Sequence, residues 1–281
     1  MAVVLALLSA IVYGAADYFG GRNSRRFAAS SLALGGELVM LVGFAALALL
    51  SDDITPTGST VLWSLLAGVG GSLGVLGLYF ALAKGNMTVV APITGVVAAL
   101  LPVGVGLATG ERPGTLAIIG IALAVGAVAV VGGLFDMDRG LVAPATVLLA
   151  VVVGALFGLL FTAYAQIDGD AGWWPIAIAR VSGVPILSVA VALDWRRRGR
   201  VPFTGGAWLP AAMIGLLGGA ANGFYLAASR RGLLSIVAVV VALYPATTVM
   251  LAAWLDHERP SRSQLIGMVG AAVAVALVTT G

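Results

Sequence analysis

Few residues in this sequence can do chemistry, and three of the ionisable ones, Glu37, Arg180 and Asp17, stand inside long apolar runs. A charge at the centre of a bilayer costs about 2.5–3.5 kcal/mol on insertion scales, so each needs a reason to be there. Glu37 lies about seven residues into its run, roughly 10 Å below the interface by helical rise and too deep for a short carboxylate to reach the headgroups. Such a group can bind a substrate amine, take up a proton, or serve as a hydrogen-bonded packing carboxylate. Arg180 sits at a similar depth from the opposite face. It can hold a substrate carboxylate or phosphate while Glu37 holds an amine, which suits a zwitterion; its long stem can also reach headgroups beside Trp173 and Trp174. Asp17 precedes Arg22, Arg25 and Arg26 by a turn or so, where a surface ion pair and a gate are both open readings.

Tyr13, Tyr79, Asn222, Tyr225 and Tyr244 add polar tips to otherwise apolar stretches, and Asn222 and Tyr225 share a face at i, i+3 spacing. With Glu37 and Arg180 they form the expected substrate-binding set. Pro92, Pro185 and Pro245 remove backbone donors inside predicted helices, which membranes tolerate where a neighbouring helix or a cavity meets the freed carbonyls. Glu37, Asp17, Pro92 and Pro245 are the expected coupling or gating positions.

The elements that must position these residues are membrane helices. Apolar residues make up 60% of the chain and charged ones only 10%, against roughly 25% charged in soluble domains, so a large soluble catalytic domain is excluded. Apolar runs near 2–20, 30–50, 61–83, 87–109, 114–134, 142–165, 173–193, 206–229, 233–254 and 263–280 are each long enough to cross the bilayer, where about 20 residues are needed. They lack the alternation of a β-barrel. The first run has no preceding Lys or Arg, so it reads as a retained helix and not a secretory signal. Absence of cysteine and a single histidine remove the ligands for disulfides, thiol catalysis and a His/Cys zinc site, so neither a metal nor a cofactor is expected. The basic clusters between runs read as membrane-surface anchors, and nucleic acid is not an expected partner.

The chain matches itself without a gap at a shift of 147 residues, which carries Gly68 onto Gly215, Gly71 onto Gly218, Gly85 onto Gly232, Gly120 onto Gly267, and Glu111-Arg112-Pro113 onto Glu258-Arg259-Pro260. Lys84 falls on Arg231 and Thr88 on Ser235. Two halves, 1–138 and 139–281, are thus expected, and an odd number of helices in each forces the second to enter from the opposite side. The fold class is therefore all-α integral membrane, ten transmembrane helices in two inverted five-helix repeats with a central site between them. The GxxxG spacings at Gly70, Gly154 and Gly215 serve close helix packing. Eleven loop Lys and Arg lie on one side against Arg112, Arg230 and Arg231 on the other, which predicts both termini outside.

The second half carries Tyr244-Pro245, Glu258-Arg259-Pro260 and Gly267; the first carries Tyr13-Gly14, Glu111-Arg112-Pro113 and Gly120, with Ala98 in the proline slot. In these features the chain resembles the drug/metabolite transporter superfamily, specifically its ten-helix EamA-like branch, over nearly its whole length. The resemblance implies export or exchange of small metabolites, amino acids among them, across the cytoplasmic membrane, and in that family both termini are usually cytoplasmic. A secondary transporter is expected, with a small-molecule substrate, the proton as a candidate coupling ion, lipid around it, and a monomeric or homodimeric state. The rival readings are a lipid-handling or scaffold subunit and an integral-membrane enzyme. The last would need gathered carboxylates or histidines, whereas Asp52-Asp53, Asp136/Asp138 and Asp168/Asp170 lie in separate loops.

Overall fold

The computed structural model describes residues 1–50, 56–83, 87–131, 144–167, 171–198, 205–257 and 259–280. Glu258, Lys84, Gly85, Arg139, Arg200 and the three acidic loop pairs lie outside the described residues, as does the side chain of Pro92.

Among the described residues, eleven α-helices build the ten spans: α1 (Ala2–Ser24), α2 (Ala29–Leu50), α3 (Gly58–Ala83), α4 (Met87–Ala108), α5 (Thr115–Val131), α6 (Pro144–Ala165), α7 (Trp174–Arg198), α8 (Trp208–Ser229), α9 (Leu234–Val241), α10 (Tyr244–Leu255) and α11 (Arg262–Thr280). Eight spans are long and apolar enough to cross a membrane, with two shorter apolar helices besides. The one departure in helix count is the ninth span, which two helices share. Pro245 causes it. Lacking an N–H, and with a ring that clashes with the carbonyl four residues back, Pro245 ends α9 and opens α10. Pro185, by contrast, lies within a continuous α7, on its exposed side.

The packing repeats the sequence symmetry. α1 packs on α8 as α6 packs on α3, and α2 packs on α8 as α7 packs on α3. α4 meets α6 as α1 meets α9 and α10, while α2 with α7 and α5 with α11 form pairs that the exchange of halves maps onto themselves. The 147-residue frame holds at single contacts: Gly120 approaches Ala274 and Val278 of α11, and Gly267 approaches Ala127 and Val131 of α5. A methyl group at either glycine would collide with the facing helix. The two halves are therefore an inverted repeat around α2 and α7, the interface where Glu37 and Arg180 reside.

Tryptophans at helix ends are largely exposed, among them Trp173, Trp195, Trp208 and Trp254, as expected of an interfacial belt. On the face holding the termini, the Glu111 carboxylate accepts hydrogen bonds from the backbone N–H of Leu234 and of Ser235, at 3.0 Å for the latter. It thus supplies acceptors to the free donors at the start of α9 and ties the first half to the second.

Candidate functional site

At the centre of the bundle lies a cavity, with about 750 Å³ of empty space when its open mouth is counted. Among the described residues, seven helices line it: α6, α7, α8 and α10 of the second half supply Phe157, Phe161, Arg180, Asn222 and Tyr244, opposite Tyr13, Asp17, Glu37, Val75 and Tyr79 from α1, α2 and α3 of the first. The lining residues of α1, α2 and α3 lie in the halves of those helices nearest the α1–α2 connection, so the cavity runs from mid-membrane toward the face that carries Arg25 and Arg26.

Its opposite end is closed by side chains of both repeats. Ser9 Oγ donates to the Ala221 carbonyl at 2.9 Å, and the Tyr13 hydroxyl donates to Asn222 Oδ1. The Tyr13 ring packs edge-on to Phe161 at 5.8 Å, and Phe161 lies 4.9 Å from the ring of Tyr225. Tyr225 itself does not line the cavity. It is buried behind Phe161, and its hydroxyl donates to the Phe161 carbonyl at 2.8 Å. Asn222 completes its own bonding through Nδ2 to the Gly218 carbonyl.

The main charged feature is a direct ion pair. Arg180 Nη1 lies 2.7 Å from Glu37 Oε1, with side chains 3% and 5% exposed, so the arginine does not snorkel to the headgroups beside Trp173 and Trp174. Ser72 Oγ donates to the same Glu37 oxygen at 3.3 Å, and Arg180 Nη2 donates to the Tyr164 hydroxyl at 3.2 Å. Glu37 Oε2 and Arg180 Nε have no hydrogen-bond partner among the described residues. Gly183 lets α7 come this close: a Cβ there would stand 2.9 Å from Glu37 Oε2. Expected as two separate poles for a zwitterion, the two charges neutralise each other, and a zwitterion held between them would require the pair to part.

Asp17 does not pair with the arginines that follow it. Arg22 turns instead to Asp256 at the end of α10, 3.2 Å away, and donates to the Tyr18 hydroxyl at 3.0 Å; Tyr18 in turn donates to Asp256 at 2.7 Å. This half-exposed cluster ties α1 to α10 on the basic face and is worth at most about 1 kcal/mol as a surface pair. Asp17 faces the cavity.

Of the expected site residues, Tyr13, Asp17, Glu37, Tyr79, Arg180, Asn222 and Tyr244 come together around one cavity. Pro245 adjoins it as the start of α10, and Pro92 falls within α4, its side chain outside the described residues. The sequence reading missed Ser72 and Tyr164, each of which hydrogen-bonds one member of the ion pair, and the aromatic wall of Phe157 and Phe161. Ser72 is a lone hydroxyl in a glycine-rich stretch of an apolar run, and Tyr164 is one of six tyrosines with nothing in its neighbours to set it apart. No group of three or more metal-ligating side chains occurs among the described residues.

The model of the EamA-like transporter family matches the chain twice, over residues 1–133 and 144–280. A solved protein crystal structure shares the architecture at a TM-score of 0.71 and 17% identity, over 99% of this chain and 96% of the other. At that identity the likeness shows the fold alone. No curated protein sequence matches the chain.

Proposed function

Because the chain belongs to the EamA-like transporter family and is a multi-pass membrane protein with a site between its halves, we propose that it carries a small polar solute across the cytoplasmic membrane by alternating access. The observation that supports this most is the cavity itself: both repeats line it, aromatic and hydrogen-bonded contacts between them seal one end, and the other end extends toward the basic face. Inverted halves can rock about such a site to exchange the sealed and open ends. The excess of Lys and Arg near the α1–α2 connection makes that face cytoplasmic and both termini external, so the conformation described opens toward the cytoplasm. Export or exchange follows, with the solute entering from the cytoplasm. The energy comes from solute exchange or from a proton gradient. If Glu37 is the coupling group, protonation releases Arg180, and Glu37→Gln abolishes pH-driven uptake while leaving a folded protein. The residues 1–138 and 139–281 act as the two moving halves.

The test is exchange in reconstituted vesicles. Amino acids, nucleobases, polyamines, organic cations and sugar phosphates are screened for thermal stabilisation of the purified chain, and each hit is loaded inside vesicles with the same labelled solute outside. Accelerated uptake into loaded over empty vesicles is the expected result. A panel of stabilising ligands none of which exchanges would contradict carriage and favour a lipid-handling or scaffold role.

A further inference from the structure

We infer that the cavity selects an organic cation, an ammonium group on an apolar body with no carboxylate, and that Asp17 is its countercharge. This rests on the reading of the cavity as the carrier's solute site.

The bonding of each polar wall group decides the matter. Arg180 is committed to Glu37 and Tyr164, and Tyr13 and Asn222 to each other. The Glu37 oxygen without a partner is walled off by α7 at Gly183 and presents nothing to the cavity. Asp17 is different: it lines the cavity, and no hydrogen bond or ion pair engages its carboxylate among the described residues. The nearest basic residue along α1, Arg22, is held by Asp256 and Tyr18. Tyr79 and Tyr244 line the same cavity as Asp17, and an aromatic ring attracts a cation over its face.

Charge balance points the same way. With the ion pair neutral within itself, two carboxyl groups stand against one guanidinium and the Asp17 carboxyl is left without a counter-ion. A membrane-embedded carboxylate without a counter-ion calls for a cation. A solute carboxylate would meet the Asp17 carboxyl and find Arg180, the one arginine lining the cavity among the described residues, already paired. The wall also has an apolar part, Met40, Phe157, Leu160, Phe161 and Ile214, to receive a hydrocarbon or aromatic body.

A matched series tests this on the purified full-length chain: phenethylamine, phenylalanine, 3-phenylpropionate and phenethyl alcohol share one body and differ in charge. Phenethylamine is expected to raise the melting temperature of the native protein and to bind at least tenfold more tightly than the other three. Asp17→Asn is expected to weaken amine binding tenfold or more, and Asp17→Glu to restore part of it. Phenylalanine or phenylpropionate binding as tightly as the amine would overturn the inference on the native chain alone, even if a variant failed to fold. So would amine binding unchanged in Asp17→Asn, or no binding of the amine. Failure of the carrier reading looks different: the amine binds through Asp17, yet loaded vesicles show no accelerated exchange of it.

Discussion

The fourth spans of the two halves occupy the same place in the repeat and differ in continuity. α4 continues through Ala98, which is fully buried, whereas its counterpart stops at Val241 and restarts at Tyr244, beside Pro245. Ala98 and Pro245 correspond in the 147-residue frame, and the break falls where the second half has a proline at that position. The break has a use: it starts α10 at Tyr244, which lines the cavity, and α1 comes close enough there for Thr248 Oγ1 to donate to the Gly14 carbonyl at 3.1 Å. The halves also divide the charges, since the first contributes Asp17 and Glu37 and the second contributes Arg180. Duplication built the frame, and divergence at a few positions made the site asymmetric.

The largest expected effect comes from removing the second half's charge. Arg180→Ala leaves Glu37 buried without its counter-ion, which costs about 3–5 kcal/mol where a buried pair loses one member. A large fall in melting temperature is expected, and Glu37→Gln added to Arg180→Ala should recover much of it, because an amide can stay buried at lower cost than an unpaired carboxylate. Equal stability of Arg180→Ala and the native chain would show that the pair is not closed.

A smaller effect is expected from exchanging the fourth spans' defining residue. Ala98→Pro places a ring inside α4 and costs about 3 kcal/mol or more, as for proline in a helix interior. Pro245→Ala lets α9 and α10 join, so it should leave the fold intact, slow hydrogen exchange around 241–244 and impair exchange transport. Equal destabilisation by the two substitutions would contradict the account of the break.

Much of this was readable from residue order alone, and the remainder was not, for a physical reason. Hydropathy and the repeat frame locate a residue by depth, which is why the spans and the gathering of Tyr13, Tyr79, Asn222 and Tyr244 near one level could be anticipated. Depth does not set rotation about the helix axis or the identity of a partner. Glu37 and Arg180 are 143 residues apart in sequence, and only the packing of α2 on α7 turns two poles into one bond. Asp17 is near Arg22 in sequence, but Asp256 reaches Arg22 from α10 and leaves Asp17 to the cavity. Tyr225 shares a helix face with Asn222 and still lies behind the wall, because Phe161 stands between it and the cavity. Glu111 was legible as a motif residue, but its grip on α9 depends on a contact between halves.

The claim on which the rest depends is that the cavity between the halves opens to the basic face and closes to the other. The chain contains no cysteine, so a single cysteine can report on it without background. Val75→Cys lies on α3 between Gly71 and Tyr79, in the cavity wall. With an impermeant thiol reagent applied to oriented vesicles, the account predicts rapid modification from the face bearing Arg25 and Arg26, slowed when a transported solute is bound. Rapid modification from the opposite face alone, or a rate indifferent to bound solute, would contradict it.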